Sequence, residues 1–251
     1  MRSNGGTSMP EVSLDGSEDS WARSQTCVPL FDNAQVNVAK LFAAARGLPL
    51  HPDRWKNWDS FLAIHHAERL IELNDPVLDA GACRVEPYPS AFLPSLKKLG
   101  FTDLTGCNID EKEDPEVVEG VCYEYCDIER MRYDNGRFAF IACLSTIEHG
   151  VDWRKYFTES ARILRLDGYL FTSFDYWSTP VDTMGQTAWG SPIRIFTAHD
   201  VMQMAIFAKG CGLDLMKRPV LNCKDAPVEW MGMRYTFMNL LMKKAREISN
   251  A

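Results

Sequence analysis

Apolar residues recur along this chain in two rhythms. Short strand-like segments fall at residues 77–78, 101–109, 121–126, 138–144 and 169–174, and several of the stretches between them carry apolar positions at helical spacing. The run FAFIACL at 138–144 has no polar break and reads as a central parallel strand buried on both faces. Helices are predicted at AQVNVAKLFAAAR, where Val36, Val38, Leu41, Phe42 and Ala45 share a face, and at WKNWDSFLAIHHAERLIEL, where Trp58, Phe61, Leu62, His65, Leu70 and Ile71 do so. A third runs from about Ser90 to Leu99, stopped by Gly100. A fourth follows in VDWRKYFTESARILR, with Trp153, Tyr156, Phe157, Ala161 and Leu164 inward. A fifth, AHDVMQMAIFAKG, is capped by Thr197 with Asp200 completing a capping-box-like start. EKEDPEVVEG reads as a charged helix or loop, and LDLMK and YTFMNLLMKKA as two closing strands paired antiparallel at the sheet edge. Strands alternating with helices predict an α/β fold, a doubly wound and mostly parallel sheet.

The polar stretches set the organisation. Residues 1–26 are rich in Ser, Gly, Asp and Glu and predict a disordered N-terminal tail. Residues 27–251 form one domain, with an N-terminal helical cap over 27–74 and the sheet core over 75–251. The stretch 178–195, with Pro180, Gly185, Gly190 and Pro192 among Met184, Trp189 and Ile193, predicts an ordered lid-like loop.

Composition narrows the partners. The chain has 251 residues, 46% hydrophobic and 24% charged, with a formal charge of -7. That length suits a well-buried domain, and the charge offers no broad basic field for a phosphate backbone, so a small molecule is expected rather than nucleic acid. No apolar run reaches the ~18 residues that span a bilayer, and the N-terminus carries no apolar signal core, so no membrane partner and a cytoplasmic location are expected. The eight cysteines lie mostly in apolar segments, which predicts reduced core thiols. Cys122 and Cys126 lack a companion His pair at ligand spacing, so no metal site is expected. The sequence carries no signature of oligomeric state.

Candidate chemistry gathers at the strand ends, where ligands bind in doubly wound sheets. Asp79, Ala80 and Gly81 close the first strand, and Gly permits a tight turn and close backbone approach. Asp110 follows the second strand, placed to accept hydrogen bonds from ribose hydroxyls. Asp127 follows the third, where a carboxylate and the adjacent Ile128 suit an adenine amine and face. Glu148 and His149 follow the fourth strand; His149 is the candidate general base, oriented by Glu148, or else both only cap the next helix. Asp175, Tyr176 and Trp177 end the fifth strand as candidate acceptor contacts, joined by Trp189 and Arg194 from the loop. Lys56 and Trp58 read either as a cation and aromatic that close over a cofactor or as a surface charge beside a packing anchor. His65 and His66 read as ordinary helix residues, because adjacent positions point ~100° apart.

The order LDAGA, CNID, YCDIE, FAFIACLSTIEHG and ILRLDGYLFTSFDYW resembles the class I S-adenosylmethionine-dependent methyltransferases, in their small-molecule branch. The resemblance runs from about Asn57 to the end. It implies a Rossmann-like seven-stranded sheet with an antiparallel C-terminal hairpin, S-adenosylmethionine as cofactor, and methyl transfer to a small-molecule acceptor, with oxygen the expected atom. It implies cofactor contacts at Asp79, Gly81, Ala82, Asp110, Asp127, Ile128 and Leu144. The family's glycine-rich turn survives only as Asp79 and Gly81, with Cys83 and Val85 at glycine positions. Two readings stand: a variant turn that admits the cofactor, or a catalytically degenerate binding or regulatory subunit.

Overall fold

The computed structural model describes residues 14–85 and 87–247. Helices α1 (Leu14–Ser24), α2 (Asn33–Ala45) and α3 (Lys56–Leu70) precede strand β1 (Val77–Ala80). There follow α4 (Phe92–Lys98), β2 (Leu104–Asn108), β3 (Glu116–Val118), β4 (Val121–Tyr125) and β5 (Phe138–Leu144). Next come α5 (Trp153–Ile163), β6 (Leu164–Tyr176), the small hairpin β7 (Thr187–Ala188) and β8 (Ser191–Pro192), and α6 (Ala198–Gly210). The chain closes with β9 (Leu213–Leu215), β10 (Val228–Trp230) and β11 (Met233–Lys244).

A nine-stranded sheet runs β10-β11-β6-β5-β1-β2-β4-β3, with β9 also on β11. The block β4, β2, β1, β5 and β6 is parallel, while β11 is antiparallel to β6, β9 and β10. The expected seven strands are thus all present, and two more extend the edges. EKEDPEVVEG contributes one of these, because Val117 and Val118 pair with Cys122 and Val121 instead of forming a helix or plain loop. The other, β10, makes the true terminal hairpin with β11.

Alternation along the central strands divides the core into two layers. Val77, Phe140, Ala142, Phe171 and Phe237 face α2, α3 and α4, whereas Leu78, Ile141, Leu170, Phe174 and Leu240 face α5 and α6. Helix α5 is amphipathic and buries Trp153, Tyr156 and Phe157 on one stripe. Helix α3 departs from its expected single face. Every residue from Asn57 to Ala67 is buried, because α3 lies between the sheet and the other N-terminal helices.

The expected tail is corrected over residues 14–24, which form α1; residues 1–13 lie outside the described residues. Polar pairs dock this helix. Glu18 binds His65 Nδ1 at 3.1 Å and Arg46 at 3.0 Å, and Asp19 lies 3.3 Å from His65 Nε2. Residues 25–30 then run beside β11, held by Asn239, whose side chain accepts from the Cys27 amide at 2.9 Å and donates to the Gln25 and Val28 carbonyls. This strap fixes α2 and α3 over the carboxyl ends of β5 and β6 and the amino end of β11, so helical side chains reach the strand ends.

Candidate active site

The β1 turn is built around a glycine that nothing else replaces. Gly81 has φ +96°, and a Cβ there would lie 2.6 Å from Thr146 Cγ2. Its amide and that of Ala82 both donate to the Cys107 carbonyl, at 2.8 and 2.9 Å, which clamps the turn to β2. Gly106 on β2 completes the close packing, since its Cβ would meet Tyr123 Cδ1 at 2.7 Å. We expect Gly81→Ala to lower the melting temperature and abolish measurable nucleoside binding at this turn, because the left-handed backbone costs ~1–2 kcal/mol and Thr146 must move. Thermal melts and a titration check it; an unchanged melt with unchanged affinity contradicts this account of the turn.

Cys83 and Val85 stand where the resembling family has glycine, yet neither takes a left-handed backbone. Val85 points to solvent, 63% exposed. The loop closes on itself instead: the Ser90 amide donates to the Cys83 carbonyl at 2.6 Å and Ser90 Oγ donates to Asp79 Oδ2 at 2.9 Å. Arg84 spans from this loop to Glu111 in a bidentate pair at 2.8–3.0 Å and to Glu116 at 2.7 Å. The side chains at 83 and 85 are thus accommodated in a turn that differs from a glycine-rich one, with Thr146 packed against Gly81.

Asp79 is 2% exposed and accepts a hydrogen bond from Ser90. Burial raises its pKa to about 7, and nearby Asp59 pushes in the same direction. A buried carboxylate in that state is suited to a cationic partner such as an amino group, which would restore its charge. At the end of β2 the position facing the turn belongs to Asn108, whose Nδ2 donates to the Ala82 carbonyl at 3.1 Å. Asp110 lies two residues further on and is exposed, its amide donating to Asn108 Oδ1 at 3.2 Å. Asp127 is likewise exposed and closes a local turn with the Glu129 amide at 2.9 Å, while Ile128 turns into the core. Leu144, half-buried at the end of β5, completes the rim. We expect Asn108→Ala to weaken nucleoside binding more than Asp110→Ala, by titration of both variants. The reverse order would return the ribose contact to Asp110.

A second cluster gathers where α3 crosses β5, β6 and β11. Asp59 is fully buried and accepts from Ser173 Oγ at 2.7 Å, from Ser145 Oγ at 3.4 Å and from the Ser60 amide at 2.9 Å. Ser145 carries the chain out of β5 at φ +50°, a conformation unusual for a side-chain-bearing residue and one found where geometry is under functional constraint. Asp175 shares the inward face of β6 with Ser173 and is 3% exposed, with Tyr235 beside it. Burial lifts its pKa to about 6 and the field of Lys56 opposes that rise. Burial also raises Asp59 and Glu148, Glu148 further through the adjacent Asp175. Lys56 itself lies 4.0 Å from the Phe237 ring centroid and bears on all three carboxylates.

Glu148 is 1% exposed and neither of its carboxylate oxygens has a hydrogen-bond partner. It does not orient His149, as expected from their adjacency; it lies by Asp175 instead, and the buried Nδ1 of His149 is without a partner. Burial, helped by Lys56, lowers the His149 pKa to about 4, so the ring is neutral at physiological pH. Backbone contacts tie both residues to the lid: the Arg194 amide donates to the Glu148 carbonyl at 2.9 Å, and His149 forms an antiparallel bridge with Ile193.

Two expected acceptor contacts are corrected. Tyr176 faces the opposite layer from Asp175, wholly buried against Phe174 and Phe196, with its hydroxyl donated to the Leu221 carbonyl. Strand alternation imposes this. Arg194 turns away to Asp200 at 2.7 Å and lies over the Phe196 ring. Trp177 stays half-buried on the Asp175 face. Trp189, 64% exposed, reaches from the lid hairpin to the β1 loop, edge-on to Tyr88 with centroids 6.3 Å apart. Trp58 is a packing anchor, fully buried, with Nε1 3.3 Å from Gln25. Sequence reading missed Asp59, Ser173 and Tyr235; only the alternation of Ser173, Asp175 and Trp177 along β6 pointed toward them. Among the described residues no group of three or more His, Cys, Asp or Glu is arranged to hold a metal ion.

Residues 78–172 match the family described as "Methyltransferase domain". No curated protein matches the chain. Solved structures do, at low identity. An S-adenosylmethionine-dependent methyltransferase from Mesorhizobium loti has a TM-score of 0.51 at 13% identity, covering 76% of this chain and 99% of that one. The YcgJ protein from Bacillus subtilis has 0.52 at 16%, covering 75% and 98%. The [4+2]-cyclase SpnF has 0.53 at 13%, covering 87% and 98%, so the fold is shared by a protein named for a different reaction. Over residues 78–172 the chain thus matches a methyltransferase domain, and its fold is the one these S-adenosylmethionine-dependent methyltransferase structures share.

Proposed function

We propose that this domain methylates an oxygen of a small-molecule acceptor, with His149 receiving the acceptor's proton. The observation that carries this reading is the buried, unpartnered and neutral Nδ1 of His149 beside the carboxyl end of β5. S-adenosylmethionine, when bound, supplies a methyl group already activated by its sulfonium. Asp79 would hold the amino group, the Gly81 turn and Asn108 the ribose side, and Asp110 and Asp127 the outer rim. Positioning is the larger contribution, worth up to ~7–11 kcal/mol where two reactants are held in line.

A neutral hydroxyl gains positive charge as its oxygen bonds to the methyl carbon. Its proton then passes to His149, whose free lone pair is available well below pH 7. The net change is one O–C bond formed, one S–C bond broken with the electron pair left on sulfur, and one proton moved to imidazole. Trp177, Phe237 and the lid around Ile193 supply an apolar surround. A small acceptor suits a site enclosed by α3 and the lid, and the chain's acidic charge supports the same reading. Free thiols throughout the described cysteines suit a reducing compartment such as the cytoplasm.

Incubation with S-adenosylmethionine and a panel of phenols, alcohols and sugars, read by mass spectrometry, tests this. A methyl ether that disappears in His149→Ala is expected. S-adenosylhomocysteine binding with no turnover on any acceptor favours the binding-subunit reading instead.

A further inference from the structure

The site holds an imbalance that the transferred methyl does not explain. Three buried carboxylates, Asp59, Glu148 and Asp175, share the field of one cation, Lys56. Lys56 makes no ion pair within 4 Å among the described residues and leans on the Phe237 ring. The other basic groups facing the cluster, His51 and His149, are kept neutral by burial. Asp59 is satisfied by two serine hydroxyls and an amide, and Asp79 belongs to the turn. Glu148 accepts no hydrogen bond from an amide, hydroxyl or basic group and has only the Asp175 carboxyl beside it. A buried polar group left unpaired costs roughly 1–3 kcal/mol, more when charged, so this arrangement is one that a ligand completes.

We infer that the acceptor carries a protonated amine, and that Glu148 and Asp175 hold this ammonium beside the reacting hydroxyl. The inference rests on the methyltransferase reading and adds the chemical class of its substrate. An anionic acceptor would meet two buried acids with Lys56 already shared. A neutral acceptor would leave at least one Glu148 oxygen without a charged partner. An ammonium brings three N–H donors and one positive charge, matching the two free oxygens of Glu148 and the adjacent Asp175. Tyr235 flanks Asp175 and Trp177 shares its strand face, flat surfaces that favour a cation between them.

The cofactor sulfonium is a poorer occupant for these carboxylates. Its positive charge leaves sulfur as the methyl departs, so an acid pressed against it would stabilise the ground state over the transition state. Carboxylates at the acceptor end act in the productive direction, because positive charge grows there during the transfer.

The test uses the full chain saturated with S-adenosylhomocysteine and three probes of one shape. Tyramine, 4-(2-hydroxyethyl)phenol and 4-hydroxyphenylacetate share a phenol hydroxyl and differ only in a cationic, neutral or anionic end. Calorimetric titration should rank the cation at least about tenfold tighter than the neutral alcohol, with the anion weakest. Glu148→Gln should erase that preference while leaving affinity for S-adenosylhomocysteine and for the neutral alcohol within about twofold. Asp175→Asn gives the same readout if Glu148→Gln fails to fold. Equal affinities, an anion ahead, binding of none of the three, or a preference that survives both variants overturns the inference. Failure of S-adenosylhomocysteine to bind is a separate result, and it overturns the methyltransferase reading whatever the probes do.

Discussion

Asp79→Asn is expected to make the ligand-free protein more stable and the cofactor complex weaker. The carboxyl of Asp79 is buried, with a pKa raised from 3.8 to about 7. Between these values the unfolded chain releases the proton and the folded chain keeps it, so folding stability falls as pH rises through that window and levels off above it. The full gap corresponds to about 4 kcal/mol, an upper bound because Asn keeps a hydrogen bond to Ser90 less well than the acid does. Melting temperatures of the two proteins should coincide near pH 4 and separate progressively toward pH 7.5, with the variant higher. Saturating S-adenosylhomocysteine should narrow that gap: losing a charge-assisted hydrogen bond to the ligand's amino group costs ~1.5–3 kcal/mol, or ~10- to 100-fold in affinity. A variant that is less stable at every pH, or that binds as well as the parent, would show that Asp79 is a structural acid and not part of the cofactor site.

His149→Ala should lower turnover by ~100- to 10,000-fold with little change in cofactor affinity. The pH profile of the parent distinguishes a base from a packing residue. With its pKa lowered to about 4, His149 is deprotonated across the neutral range, so kcat should show no limb near the ordinary histidine value of 6.5 and should fall only as the ring protonates near pH 4. The groups facing it are Lys56, Glu148 and, beyond them, Asp175. Asp175, at about 6, is the group able to place a limb inside that window, and such a limb should vanish in Asp175→Asn. Full activity in His149→Ala would leave Nδ1 as an unused buried nitrogen and remove proton transfer from the account.

The central layer of this fold is written in the chain in terms that local physics decodes. Residues 138–144 are apolar without interruption because β5 is covered on both faces, and the Asp79–Gly81 turn shows itself because only glycine tolerates its backbone. The helix cap of α6 follows from Thr197 and Asp200 alone. What escapes such reading depends on partners distant in sequence. Helix α1 has too little apolar surface to be recognised by periodicity, and is docked through Glu18 meeting His65 and Arg46. Asp59 looks like a solvent-facing residue on a helix until the strap along β11 carries α3 over the strand ends, where Ser145 and Ser173 wait 86 and 114 residues downstream.

The site residues divide along the same line. Asp175 and Tyr176 are neighbours in sequence and opposites in space, since a strand sends successive side chains to different layers. Asp110 drew notice as the acid after β2, yet the strand stops at Asn108, and it is the amide side chain that reaches the turn. Glu148 and His149 were singled out together, and their roles separate once burial is known: one oxygen pair lacks any partner and one ring is held neutral. Lys56, ambiguous as a residue on a helix, gains meaning from three carboxylates contributed by α3, the β5 turn and β6.

The most direct test is calorimetric titration of the full chain with S-adenosylhomocysteine. The account predicts saturable one-site binding, accompanied by a rise in melting temperature, that Asp79→Asn weakens and Gly81→Ala abolishes. No heat and no thermal shift at millimolar ligand would contradict it, and would leave the β1 turn as scaffold without a cofactor.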